Sequence, residues 1–371
     1  MICPVSTIPF IIVQFTEMEL DNVSSSLRKL DFPASAEQGI KFIHSQCEKF
    51  SQSGMPSPGE LTSLIEFIDE FLFCTVRLAK SGKRSGRKLS NLQQLHLIQI
   101  LADYFTGELD FSLLCSVFMI IFMVQGKDVE YKINCLAKLL SYGLSVEAPS
   151  ILNFGGVWLT QQKPTSSHSL EVARHLVQDT VSCPVSAHLS SLPVKSPLFT
   201  TNLMAAVGEL YSRVTGAGDT PDYSPPPPST VLLVSSWLGS GQGKTGAPLS
   251  VPGTSPAAPL LSWPVMAPLL SPHHHNTYSQ LQHCLLDNIN NCDAIIPLHY
   301  LLHMTRLTLA TLARKQGPEY HDVTEMALDR FGQLMTAVLA GGRVKPDKEL
   351  ELMMRKLPDN RMVQIVMKTY F

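Results

Sequence analysis

Gly239, Gly241, Gly243, Lys244 and Thr245 follow the apolar run Val231 to Leu238, the order in which a phosphate-binding loop follows a strand. A glycine is needed five residues before Gly243, and that position is Leu238. The loop must also open a helix whose amides hold the phosphates, whereas Pro248, Pro252 and Gly253 oppose one. The segment therefore reads as flexible chain. His273, His274 and His275, with His283, Cys284 and Cys292 nearby, are the soft metal ligands that cluster in sequence. Three consecutive histidines cannot all face one ion from a loop, and no paired spacing follows, so the tract reads as solvated linker. His44, His96 and His175 lie in helical patterns and read as structural histidines. The eight cysteines are scattered, with no C-x-x-C pair, as reduced core residues of an intracellular protein are. No Ser, His and acid set emerges from spacing. The sequence thus points away from an enzyme and from a metal, cofactor or small-molecule substrate.

One group of charges stands out. Lys80, Lys83, Arg84, Arg87 and Lys88, spaced by Ser and Gly, form a nuclear-localisation-like basic cluster. An import receptor or nucleic acid would suit it, and so would a solvated loop between two helices. The formal net charge of −2 gives no overall attraction for a phosphate backbone, so nucleic-acid binding would rest on this cluster alone.

The elements that must position these residues are helical. Ser35 and Gln38 occupy capping-box positions before the stripe Ile40, Ile43, Cys47 and Phe50. Ser57 with Glu60, and Pro58 at the first helical position, open a helix that buries Leu61, Leu64, Ile65, Ile68, Phe71 and Leu72. Ser90 and Gln93 open a third, whose Leu92, Leu95, Leu97, Ile98, Ile100, Leu101, Tyr104 and Phe105 predict packing on several sides. Asp110, Asp128 and Ser150 can cap the next segments. Similar stripes continue to Val214, resume at Tyr278, and end in two short helices started by Pro346 and Asp359. No comparable run alternates with a period of two.

With 44% hydrophobic residues, the 371-residue chain can build a large core, and its 16% charged residues leave surface for partners to cover. Phe111 to Val124, the strongest apolar run, is too short to cross a bilayer and predicts a buried helix. Between Pro221 and Pro272 twelve prolines occur with Gly, Ser and Thr, a composition that predicts a mobile linker around one short apolar piece. Residues 1–17 read as an N-terminal extension ahead of Met18, 18–220 as a helical array, 221–276 as the linker and 277–371 as a C-terminal helical segment. The expected fold class is all-α, an irregular α-solenoid of stacked helical hairpins, HEAT/ARM-like, with a Pro/Gly-rich linker.

Lys88 to Phe105 (KLSNLQQLHLIQILADYF), Leu136 to Leu159, LDRFGQLMTAVLAGG from Leu328 and LPDNRMVQIV from Leu357 resemble, in that order, helices of the Integrator complex subunit 15 family. The resemblance spans most of residues 20–370. In that family the region around Trp237 continues as helix, and a longer basic loop precedes the helix matching Tyr278 to Ile289; here Gly- and Pro-rich sequence replaces part of the first, and the basic loop is missing. The resemblance implies a nuclear, non-catalytic scaffold that joins the module of Integrator subunits 10, 13 and 14 to the complex body. It also implies indirect association with RNA polymerase II, in small nuclear RNA 3′-end processing and transcription termination, and no membrane. A nucleic-acid-binding helical adaptor using residues 80–88 is the alternative.

Lys244→Ala is expected to change nothing in a calorimetric titration with ATP, because no affinity exists to lose. A measurable affinity that the substitution abolishes would establish the phosphate loop.

Overall fold

The computed structural model describes residues 17–371 apart from 55, 79–83, 109, 127, 183–186, 213–222, 241–254, 292–294, 316 and 343. The proposed N-terminal extension and the Gly-Lys-Thr segment therefore lie outside the described residues, except Glu17, Gly239 and Ser240. The fold is all-α, with one small hairpin as the only strands among the described residues. Two compact units divide between Gly143 and Leu144.

The first unit contains α1 (Glu17–Leu27), α2 (Ala34–Ser53), α3 (Pro58–Phe71), β1 (Cys74–Leu78), β2 (Arg84–Lys88), α4 (Asn91–Phe105), α5 (Phe111–Ile121) and most of α6 (Val129–Ser145). Both predicted capping boxes form: Ser57 with Glu60 opens α3, and Ser90 with Gln93 opens α4. Asp110 caps α5, accepting from the Leu113 amide at 2.9 Å. Ser35 caps nothing, because α2 already begins at Ala34. Ser150 likewise sits inside α7, which Pro149 opens after Ala148. Helices α2, α3 and α5 pack together around Ile40, Ile43, Leu64, Ile68, Val117 and Phe118. The rings of Phe105 and Phe118 join α4 to α5 edge to face, 5.1 Å apart.

Two expectations for this unit are corrected. Leu92 and Leu95 on α4 are 64% and 63% exposed, so the helix buries the single face made by Leu97, Ile98, Leu101, Ala102 and Phe105. Where a basic loop was expected, Arg84 to Lys88 form β2, antiparallel to β1 with Cys74 opposite Lys88 and Leu78 opposite Arg84. The β-branched Thr75 and Val76 favour the extended chain, but a strand this short and interrupted by glycine leaves too little alternation to read.

The second unit runs through α7 (Pro149–Gln162), α8 (Ser167–Ser182), the single turns α9 (Ala187–Ser190) and α10 (Leu192–Lys195), α11 (Pro197–Ser212), α12 (Pro228–Ser240), α13 (Ser262–Leu270), α14 (His275–Asn291), α15 (Leu298–Arg314), α16 (His321–Ala340), α17 (Lys348–Met354) and α18 (Arg361–Tyr370). The most extensive contacts pair α7 with α11, α12 with α14, and α16 with both α13 and α18. Several helices thus meet partners well separated in sequence. Asn360 caps α18 through the Met362 and Val363 amides and donates to Glu325 and Asp329 of α16, fixing the last helix against the longest one.

Within the predicted linker, residues 221–222 and 241–254 lie outside the described residues, and one described stretch is core. Residues 255–269 are all buried, including Trp263, Met266 and Leu269. Composition misleads because proline is tolerated at helix starts, as Pro228 and Pro264 show, and because donors from other helices serve the carbonyls it leaves free. Pro268 lies inside α13 and has no N–H to offer the Pro264 carbonyl one turn earlier. Arg330 of α16, 4% exposed, donates to that carbonyl at 2.9 Å and to Ser279 Oγ at 2.7 Å. Ser212 Oγ donates to Pro259 O at 2.6 Å, and Tyr278 OH to Pro226 O at 3.0 Å. Gly208 completes the seat, since a Cβ there would lie 2.7 Å from Pro259 Cγ.

Arg330→Met is expected to destabilise the chain by about 2–3 kcal/mol by leaving a buried carbonyl unpaired. In a Pro268→Ala background, which restores the missing donor, the cost should fall by about 1 kcal/mol, read by a denaturation double-mutant cycle. Strict additivity of the two substitutions would show that Arg330 does not compensate Pro268.

A charged cleft in the first unit

The first turn of α3 is fixed by its capping box and by Pro58. This registers Thr62, Ile65, Glu66 and Asp69, spaced three and four apart, on one side of the helix. Together with Glu70, Phe73, Cys74 and Lys88, and with Gln125, Gly126, Asp128, Tyr131 and Lys132 from the α5–α6 turn and α6, they line a cleft of about 560 Å³.

Gly126 allows the turn to approach. Its φ is +89°, and a Cβ there would come within 2.9 Å of Ile65 Cγ2 and 3.0 Å of Asp69 Oδ2. The next turn carries Asp128 at φ 56°, and its carboxylate receives Lys88 Nζ at 2.8 Å. At the floor, Lys132 is only 2% exposed. Its ammonium lies 2.5 Å from Asp69 Oδ1, donates to the Gln125 carbonyl at 3.4 Å and stands 5.8 Å from the centre of the Phe73 ring. Lys88 is similarly placed 5.7 Å from the Tyr131 ring. Arg28 holds Glu70 by two bonds of 2.6 and 2.8 Å.

The electrostatics oppose nucleophilic chemistry. Burial, reinforced by Asp128 and Asp69, raises the Cys74 thiol above its ordinary pKa. Burial does the same to the Tyr131 phenol, while the hydrogen bond to Asp128 raises Lys88. Every shifted group in the cleft is thus held in its protonated form. Four carboxylates (Glu66, Asp69, Glu70, Asp128) outnumber two ammonium groups on the walls, beside apolar Ile65 and Phe73. Such a surface suits docking of a side chain better than turnover of a substrate.

Of the basic cluster, Lys80 and Lys83 lie outside the described residues, Arg84 and Arg87 occupy β2, and Lys88 belongs to the cleft. His273 and His274 form an exposed turn before α14, and His283 and Cys284 lie on α14, with Cys292 beyond the described residues. His44 contacts Tyr104 OH at 2.5 Å through Nδ1, and His175 lies 3.3 Å from Glu171. His96 is exposed on α4. The sequence reading missed the Asp69–Lys132 pair. Its signal was a lysine interrupting the apolar stripe of α6, and three acids spaced three and four apart on α3.

Fold and cleft together define an all-α protein whose first unit carries a charged cleft. No described helix is long and apolar enough to cross a membrane. A family model described as Integrator complex subunit 15 matches residues 21–359, and the chain belongs to that family. Curated relatives of that name include one from Drosophila melanogaster, 24% identical over 95% of this chain and 99% of its own length. The relative from Danio rerio is 25% identical over 94% of this chain and 81% of its own. That from Homo sapiens is 22% identical, covering 94% and 86%.

Lys132→Met should destabilise the chain by roughly 3 kcal/mol, because the Asp69 carboxylate loses its partner, and Lys132→Met with Asp69→Asn should recover most of that loss. Urea denaturation of the three chains decides it. Equal stability of the single and double variants would mean that the ion pair does not organise the cleft.

Proposed function

We propose that the chain is a non-catalytic scaffold subunit of the Integrator complex in the nucleus, where it joins the module of subunits 10, 13 and 14 to the complex body. In that place it supports small nuclear RNA 3′-end processing and termination by RNA polymerase II, contacting the polymerase only through its neighbours. The observation that carries the reading is the family match running through both helical units, residues 21–359, rather than over one of them. Relatedness along nearly the whole chain to a named complex subunit supports a place in the same assembly.

The physical chemistry agrees with a bridging role. Polar groups that a catalyst would turn toward a substrate are engaged here in holding helices together, as with Arg330, Asn360 and Lys132. Exposed apolar side chains remain on several helices, among them Leu92 and Leu95 on α4, Leu232 on α12 and Leu352 on α17. The stacking of helical pairs in the manner of HEAT or ARM proteins belongs to the same proposal, because such arrays present long ridges to more than one partner.

Direct nucleic-acid binding is disfavoured at the cleft. Lys88 is already matched by Asp128, and the surrounding carboxylates repel phosphate.

Affinity purification of the tagged full chain from nuclear extract should retain Integrator subunits, with 10, 13 and 14 among them. If 10, 13 and 14 are absent while other Integrator subunits are retained, the bridging role is wrong; if no Integrator subunit is retained, the assembly reading fails altogether.

A further inference from the structure

We propose that the outward face of α18 docks an amphipathic helix of a partner protein, one that presents carboxylates on either side of an aliphatic side chain. The proposal gives a partner chemistry to the scaffold role above and rests on that reading only for which protein supplies the helix.

Spacing and cap decide which face is outward. Val363 and Val366, three residues apart, are the buried side chains of α18, and the helix packs on α16. Arg361, Gln364, Ile365 and Lys368 recur at helical spacing on the opposite side, and all four are exposed, Ile365 at 40%. The start of the helix is held from both sides. Asn360 bonds the first amides of α18 and two carboxylates of α16, and a Cβ at Gly332 of α16 would lie 2.6 Å from Met362 Cβ. The exposed stripe is therefore presented on a fixed helix, so little ordering is required when a partner binds.

Charge identifies the partner. From Arg343 to Phe371 the chain carries seven Lys or Arg against four Asp or Glu, although its overall formal charge is −2. The four carboxylates are engaged within the unit. Asp347 accepts from the Glu349 backbone amide at 2.7 Å, Glu349 meets Arg306, Glu351 holds Arg355 at 2.6 Å, and Asp359 accepts from the Gln364 side chain. Glu325 and Asp329 on α16 are occupied by Asn360. Arg361 and Lys368 thus flank Ile365 on a face where positive charge is in surplus. The same pairing recurs on α17, which packs beside α18: Lys348 and Leu352, the latter 61% exposed, stand one turn apart. A second copy of such a face is repelled, while an acidic one is attracted and held in register.

The geometry of the stripe fits a helix better than a nucleic acid. Arg361 and Lys368 are seven residues apart, about 10 Å along the axis. Two carboxylates seven residues apart on a facing helix match that span, and an aliphatic residue at the third or fourth position between them covers Ile365. A phosphodiester backbone answers the two cations but makes no use of the aliphatic side chain between them, whereas an amphipathic helix answers all three.

The test uses the full chain and a fluorescent Ala-rich helical peptide of about eighteen residues, with Glu at positions i and i+7 and Leu at i+3 and i+4. Anisotropy should show salt-sensitive binding that weakens roughly tenfold with Arg361→Gln and Lys368→Gln combined. Ile365→Ser should weaken it roughly fivefold, because the aliphatic contact is lost. The chain carrying Arg361→Glu and Lys368→Glu should reject this peptide and bind its twin with Lys in place of Glu. All three positions are exposed, so each variant should keep the parent's urea midpoint. Failure of the charge swap, or binding indifferent to Ile365→Ser, would overturn the helix-docking face. Tighter binding of oligouridylate than of the peptide would identify a nucleic-acid site instead. Failure of the acidic peptide to bind would remove the proposal while leaving assembly with Integrator, judged by purification, untouched.

Discussion

The second unit depends on one constraint: a carbonyl that proline deprives of its helical donor still requires a hydrogen bond when buried. Pro268 creates such a carbonyl at Pro264, in a helix buried from Ser262 to Leu269. A guanidinium satisfies it. Arg330 has no carboxylate partner among its hydrogen bonds, and burial pulls its pKa below the ordinary guanidinium value. Its charge is nevertheless tolerated, because a planar fork can serve a carbonyl on one helix and a hydroxyl on another. Three helices, α13, α14 and α16, thereby share a single polar centre.

The same logic extends outward from Arg330. Ser212 and Tyr278 serve Pro259 and Pro226, and Trp237 donates to the Leu189 carbonyl at 2.8 Å, seating the single turn α9. Each donor belongs to a regular helix, and each acceptor to a segment whose own ladder is incomplete. Irregular chain is thus confined between regular helices and cannot shift without breaking several buried bonds. The first unit uses a different device for the same end. There the Asp69–Lys132 pair holds a turn to α3 at the base of the cleft.

Much of this was legible from local rules, and the failures have a common cause. Ser57 with Glu60, Ser90 with Gln93, and Asp110 were readable because a cap acts within four residues. The all-helical class followed from periodicity, as did the buried face of α3. The seat of the Pro-rich segment was not legible, because Arg330, Ser212 and Tyr278 lie up to 66 residues from the carbonyls they serve. Leu92 and Leu95 misled in the opposite direction: leucine content measures the capacity for burial, not whether a neighbour exists to cover it. The hairpin escaped notice because basic and glycine residues make a poor strand in isolation, and pairing with β1 stabilises it.

The two units therefore divide the chemistry. In the second, buried donors are committed to holding proline carbonyls, so a substitution there acts first on stability. In the first, charge is concentrated in a cleft whose walls carry more carboxylates than ammonium groups. A cleft of that composition favours a cationic over an anionic side chain, a distinction of sign that exposed apolar residues such as Leu92 and Leu95 do not make.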